Sequence, residues 1–504
     1  MDDFLAWFQH HGGALDTSSV GITDFPGSGR GAIALQDIPE NHTIFTLPRS
    51  LTLSTQTSTL PSAFGFEAWR KHKLHKGWVG LILCMMWEEA QGNQGKWVTY
   101  LTSLPTQFDT PMFWSDEDLQ ELQGTAVVDK IGRSEAERDY HENLVPAIKT
   151  RPDLFPSDKI DTWYTLHRYH ITGSRILSRS FNVERWEGEV EVEQDAEQVL
   201  EDSNEDTQAN TSIGSAMDVD DSGDGGEAAD EESSDRDSDD EDTEDIPEEI
   251  AMVPMADLLN ARYNSVNAKL FYEEHHLHMV TTKPIKAGEQ IFNTYGDLPN
   301  SDLLRRYGHV DLLPCPHLKG ALGNPQDIAE IRADLVVNVV CADNPNGETH
   351  RQRIEWWLDE GGDDVFIIDR DPILPAALTS LVRLLLLSQD EWGKTREKGR
   401  PPKAKFDHQV SQILRRIFEI RLSNYQSPDL DVDAQLLVSE SLTLNTRHAI
   451  IVRLGEKQIL TGALETLRLM DAALSDSGSV GSKGKRRVVS GGMTDGGKSK
   501  KARH

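Results

Sequence analysis

Between Glu187 and Glu249 the sequence carries 28 Asp or Glu side chains and one basic residue, Arg236, set among Ser and Gly. A segment with so few apolar groups cannot offset the entropy of ordering its backbone, so residues 187–249 are expected to form a disordered acidic loop. Any fold must then be assembled from the sequence on either side. The run holds −27 of the chain's formal charge of −33, which leaves about −6 for everything else. That is an ordinary balance, and the overall acidity says little about the surface of the folded part.

On the N-terminal side, VGITDFPGSGRGAIALQDIPENHTIFTLP (20–48) alternates apolar and polar residues with Gly and Pro between, which predicts strands and turns. From about 76 to 180 the spacing becomes helical, in KGWVGLILCMMWEEA, in SDEDLQELQ with Ser115 as its N-cap, and in KIDTWYTLHRYHITGSRILSRSF. Beyond the acidic run, HLHMVTTKPIKAGEQIFNTY (276–295) reads as two strands around a Lys-Ala-Gly turn. QDIPENHTIFTLP and KPIKAGEQIFNTY resemble each other faintly, as paired β-turn-β units do. From about 325 to 475 apolar residues recur at three- and four-residue spacing, and a basic Gly/Ser tail follows from 476. The fold class is therefore α+β: a β-rich domain at 1–310 with a helical insert at 76–180, then an all-α domain at 320–475.

Several function classes drop out. Cys84, Cys315 and Cys341 form no CxxC pair, which argues against a disulfide framework or a structural zinc and fits a reducing, intracellular setting. The N-terminus is acidic where a secretory signal is basic, and the longest apolar run, VGLILCMMW, is too short to span a bilayer. Gly492 to Ser499 matches G-x-x-x-x-G-K-S, but no strand precedes it to make a phosphate-binding loop. HHLH (275–278) places His276 and His278 on one face of a strand with no further ligands in view, so no metal is expected.

Four motifs remain. PGSGRGAIA (26–34) is a Gly-rich turn whose backbone a ligand can approach closely. PMADLLN (254–260) sets Asp257 and Asn260 three apart among apolar neighbours. IFNTYGDLPNSDLLRRYGHV (291–310) holds Tyr-Gly twice, at 295 and 307, with a short helix between. Asn300 or Ser301 is expected to cap that helix, Leu303, Leu304 and Tyr307 to form its buried face, and Gly308 to end it.

The order of these motifs, with PMFWSDEDLQELQGTAV and VRLGEKQIL, resembles the SET-domain protein-lysine methyltransferases that carry a Rubisco-LSMT-type substrate-binding domain. Within that class it is similar to the SETD-six-like enzymes and the fungal ribosomal lysine N-methyltransferase 4 group. The resemblance implies a SET domain with a pseudoknot-like C-terminal segment and a helical domain that presents a protein substrate. It implies S-adenosylmethionine as cofactor, held by the backbone of Ser28, Gly29, Arg30 and Gly31, by Arg179 against the methionine carboxylate, and by Asn260 and Ala261. Tyr295 matches the catalytic tyrosine, which also borders the cofactor. Trp114, Ser180, Asp257, Tyr272 and Tyr307 match the substrate side. The family pattern has Asn-His where this chain has Asn260-Ala261; alanine can serve there if the position acts through its backbone.

The implied reaction is an in-line displacement in which the lysine amine attacks a sulfonium methyl, so orientation in a narrow channel matters more than acid-base power. The implied substrate is a basic protein, ribosomal in the fungal group, with histone or signalling proteins as the alternative; a weakly active scaffold is a third reading. A monomer without membrane or direct nucleic-acid contact is expected. KGKRR (483–487) and KSKKAR (498–503) suggest a nuclear address.

Overall fold

The computed structural model describes residues 1–26, 29–184, 248–315, 322–342, 348–371, 373–439 and 441–480. Most of the acidic run, the basic tail beyond Val480 with its phosphate-loop-like pattern, and Ser28 lie outside these residues. The chain divides into two compact units, Met1–Asp327 with Tyr425–Glu456, and Ile328–Asn424 with the chain from Lys457. Residues 425–456, which helical spacing groups with the second domain, thus cluster with the first unit.

In the first unit the alternating segments form two antiparallel sheets. Ala14–Leu15 (β1), Thr43–Pro48 (β4), Ala268–Tyr272 (β7) and His276–Thr281 (β8) make a four-stranded sheet in the order β1-β4-β8-β7. Val20–Phe25 (β2), Gly29–Ala34 (β3) and Gln290–Ile291 (β9) make a three-stranded one. The two strands expected around the Lys-Ala-Gly turn both exist, but they belong to different sheets: β8 pairs with β4 and β7, while β9 pairs with β3. Gly288, at φ +86, lies in the turn that carries the chain between them. The two faintly similar β-turn-β units meet directly, Ile38 and Ile285 exchanging backbone hydrogen bonds of 2.8 and 2.9 Å.

The helical insert packs on this framework. The helix Val79–Ala90 is buried from Val79 through Met86, which explains an apolar surface all round rather than on one face. The helix Leu166–Arg179 runs beside it and is held by charge: Arg175 Nη1 and Arg168 Nη1 reach the two Glu89 carboxylate oxygens at 2.8 and 3.2 Å. Ser115 caps Asp116–Gln120 as expected, its side chain accepting from the Asp118 N–H. Ser180–Glu184 (β5) follows the helix and pairs antiparallel with Glu248–Met252 (β6), Glu184 facing Glu248. The acidic run is therefore a hairpin connection, and strand structure has resumed by Glu248, inside the stretch expected to be a loop.

The second unit is mostly helical, with helices at Ala333–Val340, Glu348–Asp359, Ala376–Leu386, Gln389–Lys398 and His408–Ser423. It is not all-α. Ala329–Arg332 and Val365–Ile368 form a two-stranded antiparallel sheet with Ile331 and Phe366 paired and buried. The last helix, Leu444–Val480, runs past residue 476, where composition suggested the tail begins. Among the described residues no helix is long and apolar enough to cross a membrane.

Candidate active site

Three short segments of the first unit converge. The first is the turn between β2 and β3. Its glycines serve different ends: Gly29 sits at φ +69, in the left-handed region, opposite Phe25 at the mouth of the hairpin. Gly31 is extended but closely approached, since a Cβ there would stand 2.7 Å from both Asn260 Nδ2 and Gln290 Nε2. Arg30 turns outward and donates to the Ser103 carbonyl at 2.7 Å, fixing the turn and leaving its backbone as the surface available to a ligand.

The second segment is VPMADLLNA. Met255, buried, takes φ +78, a strained value for a side chain of its bulk, and starts a single turn of 3-10 helix at Ala256–Leu258. That turn points the Asp257 carboxylate inward, where Oδ2 accepts from the Tyr100 hydroxyl at 2.7 Å while Oδ1 is buried without a partner. Burial raises the Asp257 carboxyl to about 6, against the Tyr100 hydrogen bond and Arg179, which pull it down.

The third segment is NTYG and the helix after it. The Asn293 N–H donates to the Asn260 carbonyl at 3.0 Å, and Ala261 and Asn293 form a parallel bridge. This places the Tyr295 hydroxyl 3.5 Å from the Leu259 carbonyl oxygen. At position 261 it is the backbone that meets this tyrosine. Ala261 thus stands in a setting where the main chain makes the contact.

Asn300–Tyr307 forms the expected short helix, but its capping differs. Pro299 is the N-cap residue, and the Asn300 N–H is taken by the Asp327 carboxylate at 2.9 Å. The Asn300 side chain instead ties down Asp311, accepting from its N–H at 2.7 Å and donating to its carbonyl at 3.1 Å. Arg306 is buried along with Leu303 and Leu304, whereas Tyr307 is only half-buried because its ring faces the site. Gly308 ends the helix at φ +74 and admits the Asp109 backbone, 3.0 Å from where a Cβ would stand.

The result is a stacked pair of tyrosines. The rings of Tyr295 and Tyr307 are parallel within 5°, their centroids 4.2 Å apart. Burial raises both phenols, Tyr295 opposed by Arg179 and Tyr307 raised further by Tyr295, so both stay protonated at neutral pH. Arg179, at the end of its helix, acts electrostatically on Tyr100, Asp257, Tyr295 and Tyr307. Its Nη1 donates to Ser178 Oγ at 2.7 Å, and among the described residues it forms no ion pair. Next to it, Ser180 Oγ is buried without a partner.

The profile of the SET domain matches residues 29–296, and that of the Rubisco LSMT substrate-binding domain matches residues 345–460. The chain belongs to the SET-domain family. With relatives named as lysine methyltransferases and structural neighbours bound to AdoMet or AdoHcy, it is a protein-lysine N-methyltransferase whose cofactor is S-adenosylmethionine. Among curated relatives, ribosomal lysine N-methyltransferase 4 of Saccharomyces cerevisiae is 28% identical over 71% of this chain and 62% of its own length. The human N-lysine methyltransferase SETD6 is 26% identical over 87% and 84%. Among solved structures, the SET domain of LSMT bound to lysine and AdoHcy aligns with a TM-score of 0.62 at 18% identity, covering 96% of each chain. Rubisco LSMT bound to AdoMet aligns with a TM-score of 0.60 at 17% identity, covering 96% and 97%. These two show the fold.

The SET-domain site brings together Gly29, Gly31, Asn260, Ala261, Tyr295, Tyr307, Asp257 and Arg179, which lie far apart in sequence. Trp114 and Tyr272, also expected on the substrate side, are seen here in their packing. Trp114 is a core residue: its indole N–H donates to the Asp109 carbonyl at 2.9 Å, and its ring packs with Leu122, Val127, Leu304, Ala449 and Val452. With 5% of its surface exposed, it is engaged mainly in packing. Tyr272 closes β7 opposite Leu277, half-buried against the main core. Tyr100 and Gln290 were not legible as site residues. Nothing in sequence links Tyr100 to Asp257 across 157 positions; Gln290 carried a weak signal, the polar position beside buried Ile291 in a short strand.

The residues present suit S-adenosylmethionine. Arg179 offers a guanidinium without an ion-pair partner to a carboxylate. On the side expected to take the substrate, Ser180 Oγ and Asp257 Oδ1 are buried polar atoms without partners among the described residues. At Gly29 and Gly31 the strand offers bare backbone, with the Arg30 side chain tied to the Ser103 carbonyl.

Proposed function

We propose that this SET-domain methyltransferase acts on a lysine of a basic protein, a large-subunit ribosomal protein being the first candidate. Support comes from the yeast relative, whose name specifies ribosomal lysine, and from the acidic run, a composition suited to a basic target. In this reading the protein works as a monomer and in the nucleus, the address suggested by its basic tail. The observation that carries the activity is the stacked Tyr295–Tyr307 pair beside Asp257 and Arg179.

The cofactor supplies an electrophilic methyl group on a sulfonium, held by the Gly29–Gly31 backbone, Arg179 and the Asn260–Ala261 segment. The remaining work belongs to the chain. Removing the proton from a lysine at neutral pH costs about 4 kcal/mol. The stacked rings exclude water and disfavour the ammonium, while an outer aromatic face still tolerates a cation that passes beside the pair. Because both phenols stay protonated, Tyr295 is no general base; its hydroxyl accepts from the amine and aims the lone pair. Asp257, ionised above about pH 6, attracts the incoming ammonium.

Methyl transfer from labelled S-adenosylmethionine to fractionated cell extract, read by mass spectrometry of the labelled lysine, tests the substrate. Label in ribosomal proteins supports the proposal. Label confined to histones or signalling proteins replaces it with that alternative substrate class.

A further inference from the structure

Resting on the reading of the site as an S-adenosylmethionine site, the geometry points to Gln290 as a positioning residue for Asn260, through a hydrogen bond between their carboxamides across Gly31. Gln290 is in β9, opposite Ile33 of β3, and its carbonyl accepts from Asn267 Nδ2 at 3.0 Å. Its backbone is thus fixed on both sides. Asn260 is fixed too, its carbonyl taken by Asn293. Their side chains reach the same place from two segments: Asn260 Nδ2 and Gln290 Nε2 each stand 2.7 Å from the point a Gly31 Cβ would occupy, with the Phe25 ring edge 3.0 Å from it. Both nitrogens are buried, and among the described residues neither has a partner.

Two amide nitrogens brought to one point, each 2.7 Å from it, leave two donors unsatisfied in a dry place, which is costly. A carboxamide keeps its shape when rotated by half a turn, exchanging nitrogen for oxygen. Turning the Gln290 amide brings Oε1 to face Asn260 Nδ2, and one hydrogen bond then replaces two orphaned groups. The glycine at 31 is what gives the amides room to meet. Gln290, which touches no reacting atom, thereby sets the plane of the Asn260 side chain, and with it the cofactor edge of the site.

The test is calorimetric titration of the full chain with S-adenosylmethionine, with thermal midpoints recorded alongside. Gln290→Met, similar in size but unable to accept strongly, is expected to weaken binding about tenfold. The Michaelis constant for the cofactor rises and that for the protein substrate stays put. Gln290→Glu keeps an acceptor facing Asn260 and is expected to bind within about threefold of wild type. Wild-type affinity in Gln290→Met overturns the inference, and so does a loss in Gln290→Glu as large as in Gln290→Met. If Gln290→Met does not fold, Gln290→Glu decides alone, because a tenfold loss there means that the amide N–H₂, and not the oxygen, is the group in use. Failure of wild type to bind the cofactor would instead sink the functional reading.

Discussion

The Asn293 N–H donates to the Asn260 carbonyl at 3.0 Å, joining two segments more than thirty residues apart. This bond lays the Tyr295 strand alongside Ala261, and the helix that follows returns Tyr307 to stack on Tyr295. The site is therefore a product of chain crossing rather than of one motif.

Asp257 gives the site a pH dependence. Its carboxyl titrates near 6 in the fold and about 3.9 when unfolded, so the folded protein holds the extra proton between those values. Its contribution to stability is best below about pH 4 and is lost as pH rises through 6. Asp257→Asn, which still accepts from Tyr100, is expected to melt higher than wild type above pH 6 and to converge with it toward pH 4. Turnover at pH 7.5 should fall because the anionic attraction for lysine is gone. Melting curves and initial rates across this range check both statements.

The first unit depends on a buried ionic cluster. Arg453 donates to Asp433 Oδ1 and to Glu121 Oε2, each at 2.8 Å, with Arg453 and Asp433 almost wholly buried. Arg453→Met removes the paired cation from buried Asp433 and from Glu121 and is expected to cost about 3–5 kcal/mol in chemical denaturation. Adding Asp433→Leu should restore most of that loss.

Sequence and structure agree most where local chemistry decides. The Gly-rich turn, the Ser115 cap and the helix ended by Gly308 all follow from residues close in the chain. What escaped sequence reading is set by distant partners. The Asn300 helix takes its cap from Asp327, Trp114 is claimed by an apolar cluster, and the strands of 276–295 divide between two sheets. Tyr100 at Asp257 and the strand pair in the second unit are of the same kind, since pairing at long range leaves little periodic trace.

The acidic run joins two directly paired residues, Glu184 and Glu248. Replacing 185–247 with a four-residue turn is therefore expected to keep the fold and cofactor affinity. Shortening the connection should raise stability by about 2 kcal/mol through loop-closure entropy. If the run recruits a basic protein, the Michaelis constant for that protein rises severalfold at low salt, while that for a short lysine peptide does not change.

The central claim is that Tyr295 orients a lysine amine for methyl transfer. Single-turnover transfer from labelled S-adenosylmethionine to a basic ribosomal fraction, with wild type and Tyr295→Phe at matched cofactor occupancy, tests it most directly. The account predicts methyl-lysine with wild type and a rate at least about a hundredfold lower with Tyr295→Phe, both proteins melting within a few degrees of each other. Equal rates for the two, or no methyl-lysine from folded, cofactor-loaded wild type on any fraction, would contradict it.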